Sequence, residues 1–261
     1  MKEFAVIGNP ISHSLSPLLH NEIYRQIDFN ASYKALKVLP EDLGEFLFDN
    51  NLDGFNVTIP HKISITEHLK NIDSAAENIS AINCVDNYIG YNTDWIGFLN
   101  ALEINNIDLK DRDCLIIGAG GVAYAVSHAL IKCQVNSISI TNRSEKNKDR
   151  LLDWINKRVK SNPSIEPKVI INCTPIGMWP KTQSIPIDLK VQTDQIMIDT
   201  IYNPEETLWL QSCREQGAKT IGGLDMFIGQ GIASINIWLK KNIINDINIQ
   251  LIKNVIKSKL C

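Results

Sequence analysis

Cys114-Leu115-Ile116-Ile117-Gly118-Ala119-Gly120-Gly121-Val122-Ala123 is the stretch that decides the fold of this chain. Four apolar residues without polar alternation suit a strand covered on both faces, as in a parallel sheet packed between helices. The glycines then turn the strand into a helix. Gly118 permits the tight turn, Gly120 lets the backbone approach a pyrophosphate, and Ala123 is small enough for the helix to pack on the strand. The first N–H groups of that helix supply donors to phosphate. Strand, glycine turn and helix in this order point to a dinucleotide-binding α/β unit.

Strand-like and helix-like segments alternate on both sides of this stretch, which predicts an α/β fold with largely parallel sheets. Upstream, strands are expected at 4–7, 32–38 and 54–57. Helices are expected from Ser16-Pro17 to about residue 28 and over 40–50. Segments 81–85 and 88–91 flank Asp86-Asn87, a tight turn between antiparallel strands. Thr93 or Asp94 then opens a helix reaching about Asn105. The charged stretch 108–113 breaks the pattern and marks a domain boundary, with the preceding helix as connector. Downstream, strands are expected at 137–141, 168–172, 195–199 and 219–221. Leu224, Phe227, Ile228, Ile232, Ile235 and Trp238 recur at helical spacing. The tail 245–259 reads as a packed amphipathic helix in preference to a membrane-surface one. Two domains are expected: residues 1–100 rejoined by 224–261, and residues 101–223.

Bulk properties narrow the function. The chain has 261 residues, 44% hydrophobic and 21% charged, a length that suits two compact cores. A net charge of −3 gives no footprint for a nucleic acid partner. The six cysteines form no Cys-x-x-Cys pair, which fits reduced thiols in a cytoplasmic protein and argues against a metal. His13, His20 and His61 lack ligand spacing with a fourth partner, so no metal site is expected. The N-terminal apolar run is too short for a signal peptide, and no stretch is long enough to span a membrane.

Two polar knots carry the chemistry. Gly54-Phe55-Asn56-Val57-Thr58-Ile59-Pro60-His61-Lys62 reads as a strand stopped by Pro60, with a helix just after it. An amine at a helix N-terminus meets a partial positive charge that disfavours a second cation. Lys62 is therefore a usable general acid or base, with Asp94 of Tyr91-Asn92-Thr93-Asp94 as the carboxylate to hold it. Ser14 and Ser16 alternate in a loop after the first strand, where both can donate to a carboxylate. Ser16 serves equally as a helix N-cap, and both readings stand. On the nucleotide side, the strand 137–141 ends in Thr141-Asn142-Arg143-Ser144. A free ribose 2′-hydroxyl usually meets an acid here, whereas a 2′-phosphate needs a cation. Arg143 stands at the strand end with Lys146 behind it, and the first acid is Glu145. That favours NADPH over NADH.

In order along the chain, Gly8-Asn9-Pro10-Ile11-Ser12-His13-Ser14-Leu15-Ser16-Pro17, His20-Asn21, the Lys62 segment, Ala81-Ile82-Asn83, Gly90-Tyr91-Asn92-Thr93-Asp94 and Gln230 resemble the successive motifs of the shikimate dehydrogenase family. The resemblance implies NADPH-dependent, reversible reduction of 3-dehydroshikimate to shikimate, with Lys62 and Asp94 as the catalytic pair. It implies that Ser14, Ser16 and Tyr202 hold the substrate carboxylate and that Asn56, Thr58, Asn83, Asp94 and Gln230 read the ring hydroxyls. It assigns Gly118, Ala119, Gly120, Gly121, Val122, Ala123, Asn142, Arg143, Ser144, Thr174 and Gly223 to NADP(H), and a cleft between the domains to the site. Thr174 lies in Asn172-Cys173-Thr174-Pro175-Ile176-Gly177-Met178, which is similar to a family loop near the cofactor. Between Ser144 and Pro167 there is room for one helix, where the family usually has a further strand and short helix. A trimmed nucleotide domain with one strand fewer is expected. Ser80 and Cys84 stand where Gly and Thr are usual, and Gly231 where Ala is common. A monomer or homodimer acting on small molecules is expected. Two alternatives stand beside this reading: a quinate/shikimate dehydrogenase using NAD, and a non-catalytic sensor of shikimate-pathway metabolites on the same scaffold.

Overall fold

The computed structural model describes residues 1–159 and 166–261. It begins with β1 (Lys2–Gly8), α1 (Ser16–Gln26), β2 (Ala31–Lys37), α2 (Leu43–Asp49), β3 (Gly54–Val57), α3 (His61–Ser64), β4 (Asn71–Ile72), α4 (Ser74–Ile79), β5 (Cys84–Asp86) and β6 (Ile89–Tyr91). Next come α5 (Asp94–Ile104), β7 (Asp113–Ile117), α6 (Gly121–Lys132), β8 (Ser137–Thr141), α7 (Glu145–Asn156), β9 (Val169–Asn172), β10 (Ile196–Asp199), α8 (Leu208–Glu215) and β11 (Lys219–Ile221). Helices α9 (Leu224–Leu239) and α10 (Ile249–Lys257) follow. The chain divides into two compact units, Met1–Gly97 with Ile228–Lys259, and Phe98–Phe227 with Leu260–Cys261. Both divisions between the main segments fall inside helices, α5 and α9.

In the first unit the strands lie in the order β2-β1-β3-β5-β6-β4. Strand β1 is parallel to β2 and β3, while β5 runs antiparallel to both β3 and β6. Alternation along β1 feeds both faces of the sheet. Ala5 and Ile7 join Leu43, Leu47, Phe55, Ile65 and Ile82 in one cluster. Phe4, on the other face, stacks on Trp238 of α9 at 4.6 Å. The Trp238 indole donates to the Val85 carbonyl at 3.0 Å, so α9 is bonded to the sheet as well as packed on it. Gly54 makes room for that indole, because a Cβ there would lie 2.5 Å from Trp238 Nε1. Helix α10 buries Ile252 and Ile256 completely, as the packed reading of the tail requires.

Two local departures have backbone causes. The turn between β5 and β6 centres on Asn87 and Tyr88, one residue later than expected, because both take left-handed φ values of 47° and 60°. A two-residue hairpin of this kind needs positive φ at both central positions. Ser80 caps α4 in the left-handed region at φ 59°, ψ 30°, where glycine is unstrained.

The second unit holds a parallel sheet in the order β11-β10-β9-β7-β8. The chain passes from β7 out to β8 and returns on the other side of β7 as β9. The strand order therefore reverses between β7 and β9, and the loops leaving these two strands diverge from one point. Open α/β sheets bind ligands at such a switch point, outside the carboxyl ends of the strands. Its core includes Ile117, Ile170, Met197, Trp209, Leu210 and Cys213. Between β8 and β9 the described residues hold α7 and no strand. The expectation of a trimmed segment also covers residues 160–165, which lie outside the described residues.

Two substitutions probe this frame by urea unfolding. Gly54→Ala drives a methyl into Trp238 and is expected to lower stability by about 1–3 kcal/mol, the usual cost of overpacking. Ser80→Gly relieves a left-handed serine and is expected to raise it by about 1 kcal/mol. An unchanged midpoint in either variant contradicts the corresponding contact or strain.

Candidate active site

Strand topology gathers the first set of residues. Strand β5 is antiparallel to β3, and β6 is antiparallel to β5. The end of β3, the start of β5 and the end of β6 therefore lie at one edge of the sheet. Lys62 follows β3 in α3, Asn83 immediately precedes β5, and Asp94 opens α5 just after β6. The loop after β1, which carries Ser14 and leads into Ser16 at the start of α1, leaves from the same edge because β1 and β3 are parallel.

Main-chain bonds fix both sides of this cluster. The Ile82 N–H donates to the Lys62 carbonyl at 2.8 Å, and the Val57 N–H to the Asn83 carbonyl at 2.9 Å. The buried His61 ring bonds the Val38 carbonyl at 2.8 Å, which anchors α3. The Lys62 ammonium then donates to Asp94 Oδ2 at 2.5 Å, with side-chain exposures of 14% and 8%. Helix α3 has four residues, so the carboxylate, and not the helix end, is the dominant electrostatic neighbour of Lys62. Burying either charge alone is costly, and pairing with added hydrogen bonds is what offsets it. Asp94 Oδ1 accepts from Asn83 Nδ2 at 2.8 Å, and the Asp94 N–H donates to Asn92 Oδ1 at 3.0 Å. The ammonium keeps two further protons in a half-buried position. That is the arrangement of an oriented proton donor.

Behind the pair runs a buried hydrogen-bond network. Asn83 Oδ1 accepts from the Thr93 N–H at 2.6 Å, and its Nδ2 also donates to Thr93 Oγ1 at 2.9 Å. Thr93 Oγ1 lies 3.2 Å from the Ser234 hydroxyl of α9. Asn56 donates to that hydroxyl and to the Asn83 carbonyl, both at 2.9 Å, and accepts from the Tyr33 hydroxyl at 2.7 Å. Asn56 and Asn83 thus commit both amide donors inside the protein. Ser234 and Tyr33 were not expected from the sequence. Ser234 lies one helical turn beyond Gln230, whose carbonyl accepts from it at 3.0 Å, and that spacing is a legible signal.

The serine loop differs in detail from its sequence reading. Leu15 occupies the cap position of α1, and Ser16 is its first residue, so the N-cap reading of Ser16 falls. Ser14 Oγ accepts the Ser16 N–H at 3.3 Å and keeps its own proton to donate. Ser16 is buried, whereas Ser14 and Thr58 are half-buried.

The second set sits at the switch point of the other unit. Gly118 has φ +110°, and a Cβ there would lie 3.0 Å from both the Cys173 carbonyl and Thr174 Cγ2. The turn after β7 and the loop after β9 therefore pack closely. Gly120 precedes α6 with nothing within 4 Å of where a Cβ would be. Ala123 is fully buried. The amides of Gly121 and Val122 head the helix without intrahelical acceptors. An open space over a helix N-terminus, with no side chain filling it, fits a dinucleotide phosphate. At the end of β8, Asn142 donates to the Ser144 carbonyl at 2.9 Å, and Ser144 caps α7 by accepting from the Asn147 N–H at 3.4 Å. Arg143 is exposed, while Glu145 is held by Lys148 at 2.5 Å. Thr174 donates to Asn172 Oδ1 at 2.7 Å. Tyr202 stacks on Phe227 at 4.0 Å. Gly223 is a close-approach glycine, since a Cβ there would collide with the Thr200 carbonyl oxygen. Asn172, Asp199 and Thr207, all buried here, were not singled out from the sequence as site residues.

Comparisons with known proteins point to one family. Residues 6–85 match the family model described as the shikimate dehydrogenase substrate binding domain. The shikimate dehydrogenase (NADP(+)) of Methanocaldococcus jannaschii is 38% identical over 281 aligned positions, covering 99% of this chain and 97% of that protein. The alignment of 281 positions is longer than this 261-residue chain, so the relative carries insertions this chain lacks. A solved shikimate dehydrogenase in complex with NADP+ is 38% identical with a TM-score of 0.91, covering 100% of this chain and 96% of that one. The Thermus thermophilus enzyme, solved with NADP(H) and shikimate, is 27% identical with a TM-score of 0.87, covering 100% of both chains.

The two glycines of the turn separate folding from ligand space. Gly118→Ala is strained and crowded, and is expected to lower the urea midpoint by the equivalent of about 1–3 kcal/mol. Gly120→Ala meets open space, and is expected to change stability by less than about 0.5 kcal/mol. Equal losses in both variants contradict an open cradle at Gly120.

Proposed function

The chain belongs to the shikimate dehydrogenase family, and from that premise we propose that it catalyses the reversible, NADPH-dependent reduction of 3-dehydroshikimate to shikimate. The observation that carries the reading is the Lys62 ammonium held at 2.5 Å by Asp94, with protons left to give. When bound, NADPH supplies the hydride that turns the ketone carbon into a carbinol. Lys62 donates a proton to the oxygen as it gains negative charge, and takes it back in the reverse direction. Asp94 orients the ammonium and accepts from an adjacent ring hydroxyl. Ser14, Ser16 and Tyr202 receive the substrate carboxylate, and Thr58 and Gln230 read further hydroxyls. A site dense in fixed donors and acceptors rejects analogues that lack a hydroxyl. Asn56 and Asn83, whose amide donors are already engaged, serve this site mainly by holding Asp94 and the strand ends in place.

In this reading residues 1–100 and 224–261 form the substrate domain and residues 101–223 the NADP domain. The Gly118–Ala123 turn holds the pyrophosphate, with Thr174 and Gly223 on the nicotinamide side. Asn142, Arg143 and Ser144 meet the adenosine 2′-phosphate. Use of NAD would call for a free acid at the end of β8, and Glu145 is engaged by Lys148. That favours NADP over the quinate-oxidising, NAD-using alternative. The intact Lys62–Asp94 pair favours an enzyme over a metabolite sensor, which has no use for a proton donor. The six free cysteines fit a reducing, cytoplasmic setting. The protein acts on small molecules as a monomer or homodimer.

Initial rates with shikimate test the assignment. Lys62→Ala is expected to lower turnover by at least about a hundredfold, the usual contribution of a general acid, while shikimate affinity changes far less. Unchanged turnover removes Lys62 from the mechanism. Wild type is expected to prefer NADP⁺ to NAD⁺, and Arg143→Ala to reduce that preference by about tenfold or more, the scale of a charge-assisted phosphate contact. An unchanged preference places recognition of the 2′-phosphate elsewhere.

A further inference from the structure

Asp199 ends β10 and is 1% exposed. Three donors converge on its carboxylate from three segments. The Ile201 N–H donates to Oδ1 at 3.0 Å, Asn172 Nδ2 donates to the same oxygen at 3.1 Å, and the Thr207 hydroxyl donates to Oδ2 at 2.8 Å. Each donor fixes a different piece of the switch-point edge. Asn172 spends its other face on the next loop, where Oδ1 accepts the Thr174 N–H at 3.0 Å and the Thr174 hydroxyl at 2.7 Å. Ile201 precedes Tyr202, and its carbonyl accepts the Gly223 N–H at 2.9 Å. Thr207 caps α8 by accepting the Leu210 N–H at 3.4 Å. One buried carboxylate thus ties together the loop of Thr174, the loop of Tyr202 and the start of α8.

We infer that Asp199 is a positioning residue that couples the Thr174 loop to the Tyr202 loop, so that cofactor-side and substrate-side contacts are set together. The inference rests on the proposed roles of Thr174 toward NADP and Tyr202 toward the substrate carboxylate.

The chemistry calls for a carboxylate. All three partners donate, and a carboxylate offers acceptor sites with no proton to misplace. An amide in its place keeps one oxygen for Ile201 and Asn172, but presents N–H groups to Thr207. The threonine must then turn its own proton away, and the link to α8 reverses. Protonation of Asp199 does the same. Burial pushes the Asp199 carboxyl up to about 6, partly opposed by its three donors. The thiols beside it, Cys173 on the β9 loop and Cys213 on α8, are themselves pushed up, Cys213 to about 11, and carry no charge near neutral pH. The sign follows. The folded state holds this proton more tightly than the unfolded chain, so its contribution to stability is complete below about pH 3.8 and is lost as pH rises through about 6. Above that pH the ionised group holds the loops at a cost in stability. Below it, the coupled arrangement loosens.

The test is Asp199→Asn, with wild-type turnover of shikimate and NADP⁺ measured first. If the inference holds, the variant unfolds at pH 8 at a urea midpoint no lower than wild type. Its kcat/KM falls about tenfold, and the KM values for shikimate and NADP⁺ rise together. Wild-type activity falls as pH drops through about 6, and the variant lacks that step. Thr207→Val, which removes one donor and keeps the acid, moves the step to higher pH, and Thr207→Ser restores it. Hydrogen exchange gives a readout independent of turnover. In Asp199→Asn the Thr174 and Ile201 amides both exchange faster than in wild type at the same pH. A wild-type pH profile with unchanged KM values in Asp199→Asn overturns the inference. So does a loss of activity that merely follows the folded fraction, or a change confined to one of the two amides. Absence of wild-type turnover counts against the proposed reaction, and the exchange data still decide the coupling.

Discussion

An ammonium and a carboxylate removed from water must each find a partner, and the structure depends on how Lys62 and Asp94 do so. Their separation of 2.5 Å is the end of a chain of constraints. Asn83 takes the second carboxylate oxygen. Thr93 bonds both ends of the Asn83 amide and so turns its Nδ2 toward Asp94, and Ser234, itself held by Asn56, meets Thr93 from behind. These side chains come from β3, from the segments flanking β5 and β6, and from α9. They meet because an antiparallel excursion through β5 and β6 returns the chain to the edge where β3 ends. A purely parallel sheet would need a crossover helix between each of these strands. The mixed sheet brings three short segments to one place with little intervening chain.

The second unit meets a different requirement with different means. A nucleotide needs backbone donors and empty space more than side-chain chemistry. The parallel sheet provides both where its strand order reverses. Gly118 packs against the next loop while Gly120 faces open space, so two glycines of one motif have opposite uses. Asp199 gives this edge a buried acceptor in place of the ion pair found in the first unit. One carboxylate meets an ammonium and the other meets neutral donors, and their electrostatic settings differ accordingly.

Much of this was legible in the sequence where local chemistry dictates local structure. The apolar run before Gly118, the expected strands and most helix limits follow from periodicity and turn residues. Lys62 and Asp94 stand out because polar residues collect at the ends of apolar runs. What was hidden depends on tertiary partners. Asn56 and Asn83 read as groups that meet a ligand, and the sequence does not show that their amide donors face Ser234, the Asn83 carbonyl, Thr93 and Asp94. Ser16 reads equally as a cap and as a carboxylate donor, and the cap reading fails because the chain enters α1 one residue earlier. The hairpin moved by one residue because Asn87 and Tyr88 both accept left-handed φ, which a tyrosine does not advertise. Asp199 reads only as the end of an expected strand, and its role as a shared acceptor depends on Thr207 and Asn172 converging on it from distant segments.

The most direct test of the central claim is the single-turnover rate of shikimate oxidation by Asp94→Asn, with enzyme and NADP⁺ in excess over shikimate. The account predicts a loss of at least about a hundredfold, since the amide keeps the shape of the carboxylate but not the charge that orients the Lys62 ammonium. A variant that oxidises shikimate at the wild-type rate contradicts it.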